Sequence, residues 1–173
     1  MKKLFPITLI AILVLSLFLA SGFSSATAKA TNILEFGSMT GVPRPYTGAT
    51  NAIRMVPGGG LPWVVGSAVG ELKSNGNLEI VVMGLVIDPN DPAAISRGLA
   101  GTNPSPNFKA IVSCLSRDAS GNPTTENRST GLFPASPTGD ARIEATLSLP
   151  QPCIAPIIFV TSPTGSWFAA TGF

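Results

Sequence analysis

Short runs in which apolar and polar residues alternate recur along the chain after residue 30, and stretches rich in Gly, Pro, Asn and Ser separate them. The segment 141–149, ARIEATLSL, has the clearest period of two. Such a period places alternate side chains on opposite faces of a β-strand. No long stretch after residue 30 repeats apolar residues at helical spacing. The pattern therefore predicts an all-β domain with little helix.

The strand candidates number seven to nine and follow one another at a spacing of about 8–12 residues. Gly and Pro fall between the apolar runs, where they act as turn residues and do not indicate disorder. This arrangement predicts a single antiparallel β-sandwich, immunoglobulin-like or related. The candidate strands are residues 32–38, 52–56, 63–73, 77–88, 108–116, 124–133, 141–149, 153–161 and 167–173.

The clearest hairpin joins segments 63–73 and 77–88 through the tripeptide Ser-Asn-Gly. A two-residue Asn-Gly turn would place Leu72 opposite Glu79 and mix charged and apolar residues on each face. A three-residue loop, with its glycine in the left-handed region, instead pairs Leu72 with Leu78. We therefore predict the three-residue loop. We also expect the second strand to be central and covered on both faces for part of its length.

The tetrapeptide Ser-Pro-Thr-Gly occurs twice, at residues 136–139 and 162–165, each time just before a strand candidate. Pro at the second position and Gly at the fourth suit a type I turn. Four residues are too few to indicate a repeated structural unit.

The only two cysteines, Cys114 and Cys153, each lie within an apolar run. In an exported chain such a pair predicts one disulfide, and two separate buried thiols are the alternative. We expect the bridge to be buried between strands. The side chains expected to share a face with one or other cysteine are Phe108, Ala110 and Val112 for Cys114, and Ala155, Ile157 and Phe159 for Cys153.

The N-terminus has the organisation of a signal peptide. Two lysines precede an uncharged apolar run at residues 4–20, and small residues follow with cleavage patterns ending at Ala28 and Ala30. The sequence thus predicts a signal peptide over residues 1–30 and a single secreted domain over residues 31–173. An uncleaved leader that anchors the domain is the alternative, since about 20 apolar residues suffice to span a membrane.

Removal of the leader changes the charge balance. The full chain has 11 Lys and Arg against 9 Asp and Glu. Cleavage after Ala30 removes three lysines, which leaves eight basic against nine acidic residues and a net charge of −1. A nearly neutral domain argues against a nucleic-acid partner and, once the leader is removed, against a membrane partner.

The residue types that carry most enzyme chemistry are scarce. Histidine is absent, which removes the Ser-His-Asp and Cys-His arrangements and His-ligated zinc. Asp88, Asn90 and Asp91 form the best oxygen cluster for Ca²⁺, but Pro92 and the lack of a later bidentate Glu favour a simple Asx turn. We predict no metal, no cofactor and no catalytic residue. A carboxylate-based enzyme acting on glycans is the alternative.

Four residues near predicted loops are candidates for ligand contact: Arg44, Tyr46, Trp63 and Trp167. Exposed aromatic rings beside a cation suit stacking against a sugar or a protein. The favoured alternative for the two tryptophans is that they cap the ends of the core. Asn127, in Asn-Arg-Ser, matches a glycosylation acceptor, and otherwise marks an exposed loop.

Several sequence blocks together resemble a family of small exported, mostly bacterial proteins with a two-cysteine β-domain. The resemblance spans most of the chain after the leader, and it implies export and the two-cysteine domain but no activity. The blocks are VPGGGLPWVV at 56–65, GLV at 84–86, AGTNP at 100–104, SCL at 113–115 and LPQPCIAP at 149–156.

These features predict a secreted, non-enzymatic β-sandwich that acts as an extracellular binding or structural module. Its partner is expected to be a glycan or a protein.

An intact-mass measurement on the exported protein tests the leader and the disulfide together. We expect a mass that lacks residues 1–28 or 1–30, with both cysteines oxidised. A mass that includes residues 1–28 contradicts secretion, and two free thiols contradict the bridge.

Overall fold

The computed structural model describes residues 29–172, and strands make up 47% and helix 3% of the structure. The predicted all-β class is confirmed, although the described strands number twelve and not seven to nine. In chain order the elements are β1 (Asn32–Phe36), β2 (Thr40–Gly41), β3 (Trp63–Val64), β4 (Ser67–Lys73), β5 (Asn77–Met83), β6 (Val86–Ile87), α1 (Pro92–Ser96), β7 (Asn107–Arg117), β8 (Pro123–Ser129), β9 (Phe133–Pro134), β10 (Ala141–Thr146), β11 (Ile154–Thr161) and β12 (Trp167–Ala170).

Two antiparallel sheets form the sandwich. Sheet 1 has the strand order β1-β4-β5-β10, and sheet 2 has the order β2-β12-β11-β7-β8, with β9 also paired to β7. The short strands β3 and β6 pair with each other. The candidate strand 124–133 is divided in two: β8 lies at the edge of sheet 2, and the chain leaves it before β9 begins.

The hairpin between β4 and β5 has the predicted three-residue loop. Leu72 lies opposite Leu78, and the pairing continues to Ala68 opposite Val82. Gly76 has a φ of 87°, and a Cβ at this position would lie 1.8 Å from the carbonyl oxygen of Leu147. Only glycine satisfies both the left-handed backbone and this close approach. The apolar register and the glycine thus select the same loop.

β5 is central in sheet 1, as predicted, but the expected cover on both of its faces is wrong. Met83 is 55% exposed, and Glu79 lies on the same outer face. The buried residues Leu85 and Ile87 belong to the chain after a break at Gly84, where φ is 65°. Their burial arises because the chain leaves sheet 1 after Met83 and β6 pairs with β3 instead.

The core lies between the two sheets, and the buried apolar residues of both form one cluster. Each fully buried Leu, Ile or Phe side chain contributes about 1.5–3 kcal/mol of transfer free energy. Sheet 2 contributes the inward side chains of β7, as the alternation along that strand predicts. Sheet 1 contributes the inward side chains of β4, β5 and β10. Those with at most 1% exposure include Phe108, Ala110, Val112 and Cys114 from β7, and Leu72, Leu78, Ile80, Val82 and Ile143 from sheet 1.

The outer face of sheet 2 is also covered. Ile111 and Phe159, which lie opposite each other on this face, are 7% and 0% exposed. The long segment 42–62 packs here: the Asn127 amide donates to the Arg54 carbonyl oxygen at 3.0 Å. β7 is therefore buried on both faces over most of its length.

The predicted disulfide between Cys114 and Cys153 is present, and it closes a sequence separation of 39 residues. Cys114 is fully buried and Cys153 is partly buried. The bridge links β7 to the last residue of the loop between β10 and β11, so the expected burial between strands holds fully for Cys114 and only in part for Cys153.

The expected face of Cys153 is wrong, because β11 begins with a bulge. Ile154 pairs with Leu115, but Ile157 pairs with Ser113, so β11 has one extra residue here. Ala155, at the bulge, has a φ of 46°. The extra residue inverts the alternation, since a shift of one position moves side chains to the other face. Ile157 and Phe159 consequently lie on the face opposite Cys114, while Ile158 and Val160 occupy the core face.

The two Ser-Pro-Thr-Gly segments adopt the same turn. In each, the glycine N–H donates to the serine carbonyl oxygen, at 2.9 Å for Gly139 and 3.0 Å for Gly165. The serine and threonine hydroxyls also bond to each other, at 2.8 and 2.9 Å respectively. The predicted turn chemistry is thus confirmed at both sites.

Other local expectations have mixed outcomes. The little helix that the pattern allows is a single short element, α1. The candidate strand 52–56 is wrong: this segment is a tight turn. Residues 1–28 of the predicted signal peptide lie outside the described residues. Within residues 29–172, no helix has the length and apolar character needed to cross a membrane.

Loss of the disulfide should strongly destabilise the sandwich. We expect Cys114→Ala with Cys153→Ala to lower the free energy of unfolding by about 3–4.7 kcal/mol, because the unfolded chain regains the freedom of a long loop. Urea unfolding monitored by tryptophan fluorescence measures this change. The reduced native protein is the matched control and should lose a similar amount; equal stability of the oxidised and reduced forms would contradict the expectation.

Candidate functional site

A groove of about 700 Å³ lies where β2 and β3 meet the turn before α1. We call it the Arg44 groove. The residues that matter for its chemistry are Arg44, Val64, Val65, Asp88, Asn90 and Asp91. The groove brings together a predicted ligand residue, Arg44, and the oxygen cluster that precedes α1.

The floor of the groove depends on a close approach between β2 and the start of β3. The Trp63 N–H donates to the Val42 carbonyl oxygen at 3.0 Å, and the Val42 N–H donates to the Phe168 carbonyl oxygen at 2.8 Å. A Cβ on Gly41 would lie 2.1 Å from the Trp63 carbonyl oxygen. A side chain at position 41 would therefore force these strands apart and open the floor.

An ion pair between Arg44 and Asp91 fixes one wall. Arg44 Nη2 lies 2.8 Å from Asp91 Oδ2, and Arg44 Nε lies 3.2 Å from the same oxygen. The Asp91 side chain is only 6% exposed, whereas that of Arg44 is 54% exposed. The buried carboxylate thus holds the guanidinium at the rim of the groove with one edge facing solvent.

The Arg44 hydrogen bond lowers the pKa of Asp91, and the N–H groups at the start of α1 act in the same direction. Asp91 Oδ1 accepts from the Ala94 N–H at 2.9 Å, as a helix N-cap. Because the folded-state pKa is depressed, the stability from this pair is present above the ordinary carboxyl pKa. It is lost as the pH falls through the lowered value.

The oxygen cluster before α1 is an Asx turn, as the sequence favours. Asp88 Oδ1 accepts from the Asn90 backbone N–H at 2.9 Å, and both Asp91 oxygens are already bonded. Across residues 29–172, no group of three or more His, Cys, Asp and Glu residues has the arrangement needed to hold a metal ion.

The two tryptophans proposed as ligand contacts are buried, in agreement with the core-capping alternative. Trp63 is 5% exposed and stacks on Phe168 with ring centroids 3.8 Å apart. Trp167 is fully buried beside Phe159, with ring centroids 6.0 Å apart. Their ring faces are therefore covered by protein, and Tyr46, at 36% exposure, is the accessible aromatic among the four candidates.

Asn127 does not lie in an exposed loop. It stands in the middle of β8, opposite Ser113, and its Nδ2 donates to the Arg54 carbonyl oxygen. Glycosylation takes place on this nitrogen, so the fold engages the atom that the modification would need. The polar sequence around Asn127 belongs to an edge strand, and its polarity is what makes it resemble a loop.

A second distinctive feature, a turn at Arg54 and Met55, is missed by sequence reasoning. Ile53 and Val56 exchange backbone hydrogen bonds of 3.1 and 2.9 Å, and the two residues between them have φ values of 48° and 67°. Such turns normally contain Asn-Gly, so Arg-Met gives no indication of one. The turn is held by the Arg54 side chain.

Arg54 Nη1 donates to the carbonyl oxygens of Ser113 and Ala155, at 2.9 and 2.8 Å. Partial burial lowers the pKa of its guanidinium. The guanidinium therefore provides a hydrogen-bond donor for one carbonyl oxygen of β7 and one at the β11 bulge. Met55, at the apex of the turn, remains 69% exposed.

The carboxyl groups with displaced pKa values in the described part of the chain all have lowered values. Besides Asp91, they are Glu71, where Lys73 is the main cause, and Asp118 and Asp140, where backbone N–H groups are. A glycosidase acid requires a raised pKa. These four groups are thus anions at neutral pH, and none of them has the raised pKa of a glycosidase acid.

No family model, curated protein or solved structure matches this chain.

Glycine at the turn formed by Arg54 and Met55 should stabilise the protein by removing backbone strain. We expect Met55→Gly to raise the free energy of unfolding by about 1 kcal/mol, because a side chain in the left-handed region costs about 1–2 kcal/mol and this one is largely exposed. Thermal and urea unfolding measure the change. Val69→Gly, at an exposed position in β4, is the control and should lose about 0.5–1 kcal/mol; destabilisation by both substitutions would contradict the interpretation.

Proposed function

We propose that the protein is a secreted, non-enzymatic β-sandwich that binds an extracellular glycan in the Arg44 groove. The observation that carries the proposal is the guanidinium of Arg44, held at the rim of the groove by a buried carboxylate. A side chain that is already oriented loses less entropy on binding, so it contributes more to affinity.

The groove offers the complementary groups that a sugar needs. Arg44 donates hydrogen bonds, whereas the Asp88 carboxylate and the exposed Asn90 amide provide acceptors on the same concave surface. Val64, 37% exposed, adds an apolar surface for the C–H face of a ring. Hydroxyl groups both donate and accept, so a glycan matches this mixture better than a purely apolar ligand does.

Binding is favoured over hydrolysis at this groove. Asp88 and Asp91 are its two carboxylates, but Asp91 is occupied by Arg44 and by the N-terminus of α1. A fixed anion of this kind positions a partner and does not transfer a proton to a leaving group.

Secretion is supported by the disulfide, since such bonds persist mainly in oxidising compartments. An uncleaved leader would make the same domain an anchored envelope module with the same groove. We also propose membership in the exported two-cysteine family that the sequence blocks resemble.

A glycan-array screen of the purified exported protein, followed by titration of the best glycan, tests the proposal. Arg44→Lys keeps the charge but loses the planar hydrogen-bonding edge, and Asn90→Ala removes an exposed amide. We expect each to weaken binding by about five- to tenfold, the equivalent of about one hydrogen bond.

Arg117→Lys, in the second sheet and away from the groove, is the matched control and should bind as the native protein does. Circular dichroism verifies that each variant is folded. Absence of any glycan above background, or equal affinity of Arg44→Lys and native protein, would refute the proposal.

A further inference from the structure

The outer face of sheet 1 has four glutamates in one cross-strand row. Glu35 of β1 lies opposite Glu71 of β4, Glu71 lies opposite Glu79 of β5, and Glu79 lies opposite Glu144 of β10. We call this set the glutamate row. It crosses every strand of the sheet, and at about 4.8 Å per strand it extends about 14 Å.

The row is unfavourable for the isolated sheet, because like charges directly opposite each other are destabilising. Two cations offset part of this repulsion: Lys73 Nζ lies 2.6 Å from Glu71, and Arg142 pairs with Glu144 and lies 3.8 Å from Glu79. Four carboxylates against two cations leave this surface with a net negative charge.

An apolar strip adjoins the row on the same face. Val69 of β4 lies opposite Val81 of β5, each two residues along its strand from a glutamate of the row. Met83 lies two residues beyond Val81 on the same face. Val69 is 51% exposed and Met83 is 55% exposed. Contiguous exposed apolar residues bordered by charges are typical of protein interaction sites.

We propose that the outer face of sheet 1 docks a cationic polypeptide segment that also carries apolar side chains. Lysines or arginines of the partner would neutralise the glutamate row, and its apolar side chains would cover Val69, Val81 and Met83. The length of the row matches about four residues of extended chain at 3.3 Å each. Complementary charge both accelerates and orients such an encounter.

Charge argues against a second copy of this chain as the occupant. Two copies that pack face to face would bring two glutamate rows together, and each would add to the repulsion already present in the other. The face is also separate from the Arg44 groove, which is formed by β2, β3 and the turn before α1. The two surfaces can therefore be tested independently.

Fluorescence anisotropy with labelled ten-residue peptides tests the proposal on the full exported protein. The Lys-Leu peptide repeats Lys-Ser-Leu-Ser, so that lysine and leucine share one face of an extended chain. The Lys-Ser peptide repeats Lys-Ser-Ser-Ser, and the Glu-Leu peptide repeats Glu-Ser-Leu-Ser. We expect the Lys-Leu peptide to bind most tightly, the Lys-Ser peptide more weakly, and the Glu-Leu peptide not at all. Affinity for the Lys-Leu peptide should fall as salt is raised.

Variants separate the two contributions. Glu79→Gln should weaken binding of both lysine peptides by about two- to fivefold, the range for one exposed ion pair. Val69→Ser with Met83→Ser should weaken the Lys-Leu peptide and leave the Lys-Ser peptide unchanged. Glu126→Gln, on the edge strand of sheet 2, is the matched control and should have no effect on either. Arg44→Lys should also have none, which distinguishes failure here from failure of the glycan proposal.

Glu79→Gln removes a repulsion, so it should unfold at a urea concentration no lower than the native protein does. Equal peptide affinity of native protein and Glu79→Gln would overturn the proposal, as would tighter binding of the Glu-Leu peptide. A dimer in sedimentation equilibrium that Val69→Ser abolishes would also overturn it and assign the face to a second copy.

Discussion

The pairing and burial of β7 is the constraint on which the rest of the structure depends. This strand pairs with β11 along one edge and with β8 and β9 along the other. Phe108, Ala110 and Val112 on its inner face are fully buried, and Ile111 and Ser113 on its outer face are buried as well. A strand buried on both faces tolerates no slip in register. Both the disulfide and the Arg54 hydrogen bonds are attached to it, so the segment 42–62 and the start of β11 take their positions from β7.

Features set by neighbouring residues could be predicted from the sequence, and features set by distant contacts could not. The hairpin loop before Asn77 was predictable, because the alternation of two strands and the requirement for a left-handed glycine agree on one register. The bulge at Ala155 was not predictable. One extra residue changes which β7 residues pair with β11, but the sequence around it remains apolar on either register. The turn at Arg54 and Met55 was not predictable either, since a long-range hydrogen bond to Ser113 stabilises it and no residue within it favours a left-handed backbone.

The candidate sites differ in the same way. Arg44 was a candidate for ligand contact from its neighbourhood in sequence, but its partner Asp91 is 47 residues away and only the fold joins them. The glutamate row was invisible, since its members lie on four different strands and each looks like an ordinary solvated charge. The nearly neutral overall charge therefore conceals an ordered distribution, with one cation fixed in a groove and an acidic row on a separate face.

The position of the disulfide has a consequence for what happens when a protease cuts the chain. The cysteines enclose β8, β9 and β10 together with the exposed loop 118–122, which follows the exposed residue Arg117. Proteases cut such exposed polar loops first. A chain cut once between the two cysteines still consists of two fragments joined by a covalent bond. A single nick in this region thus leaves one molecule, with neither half free to diffuse away.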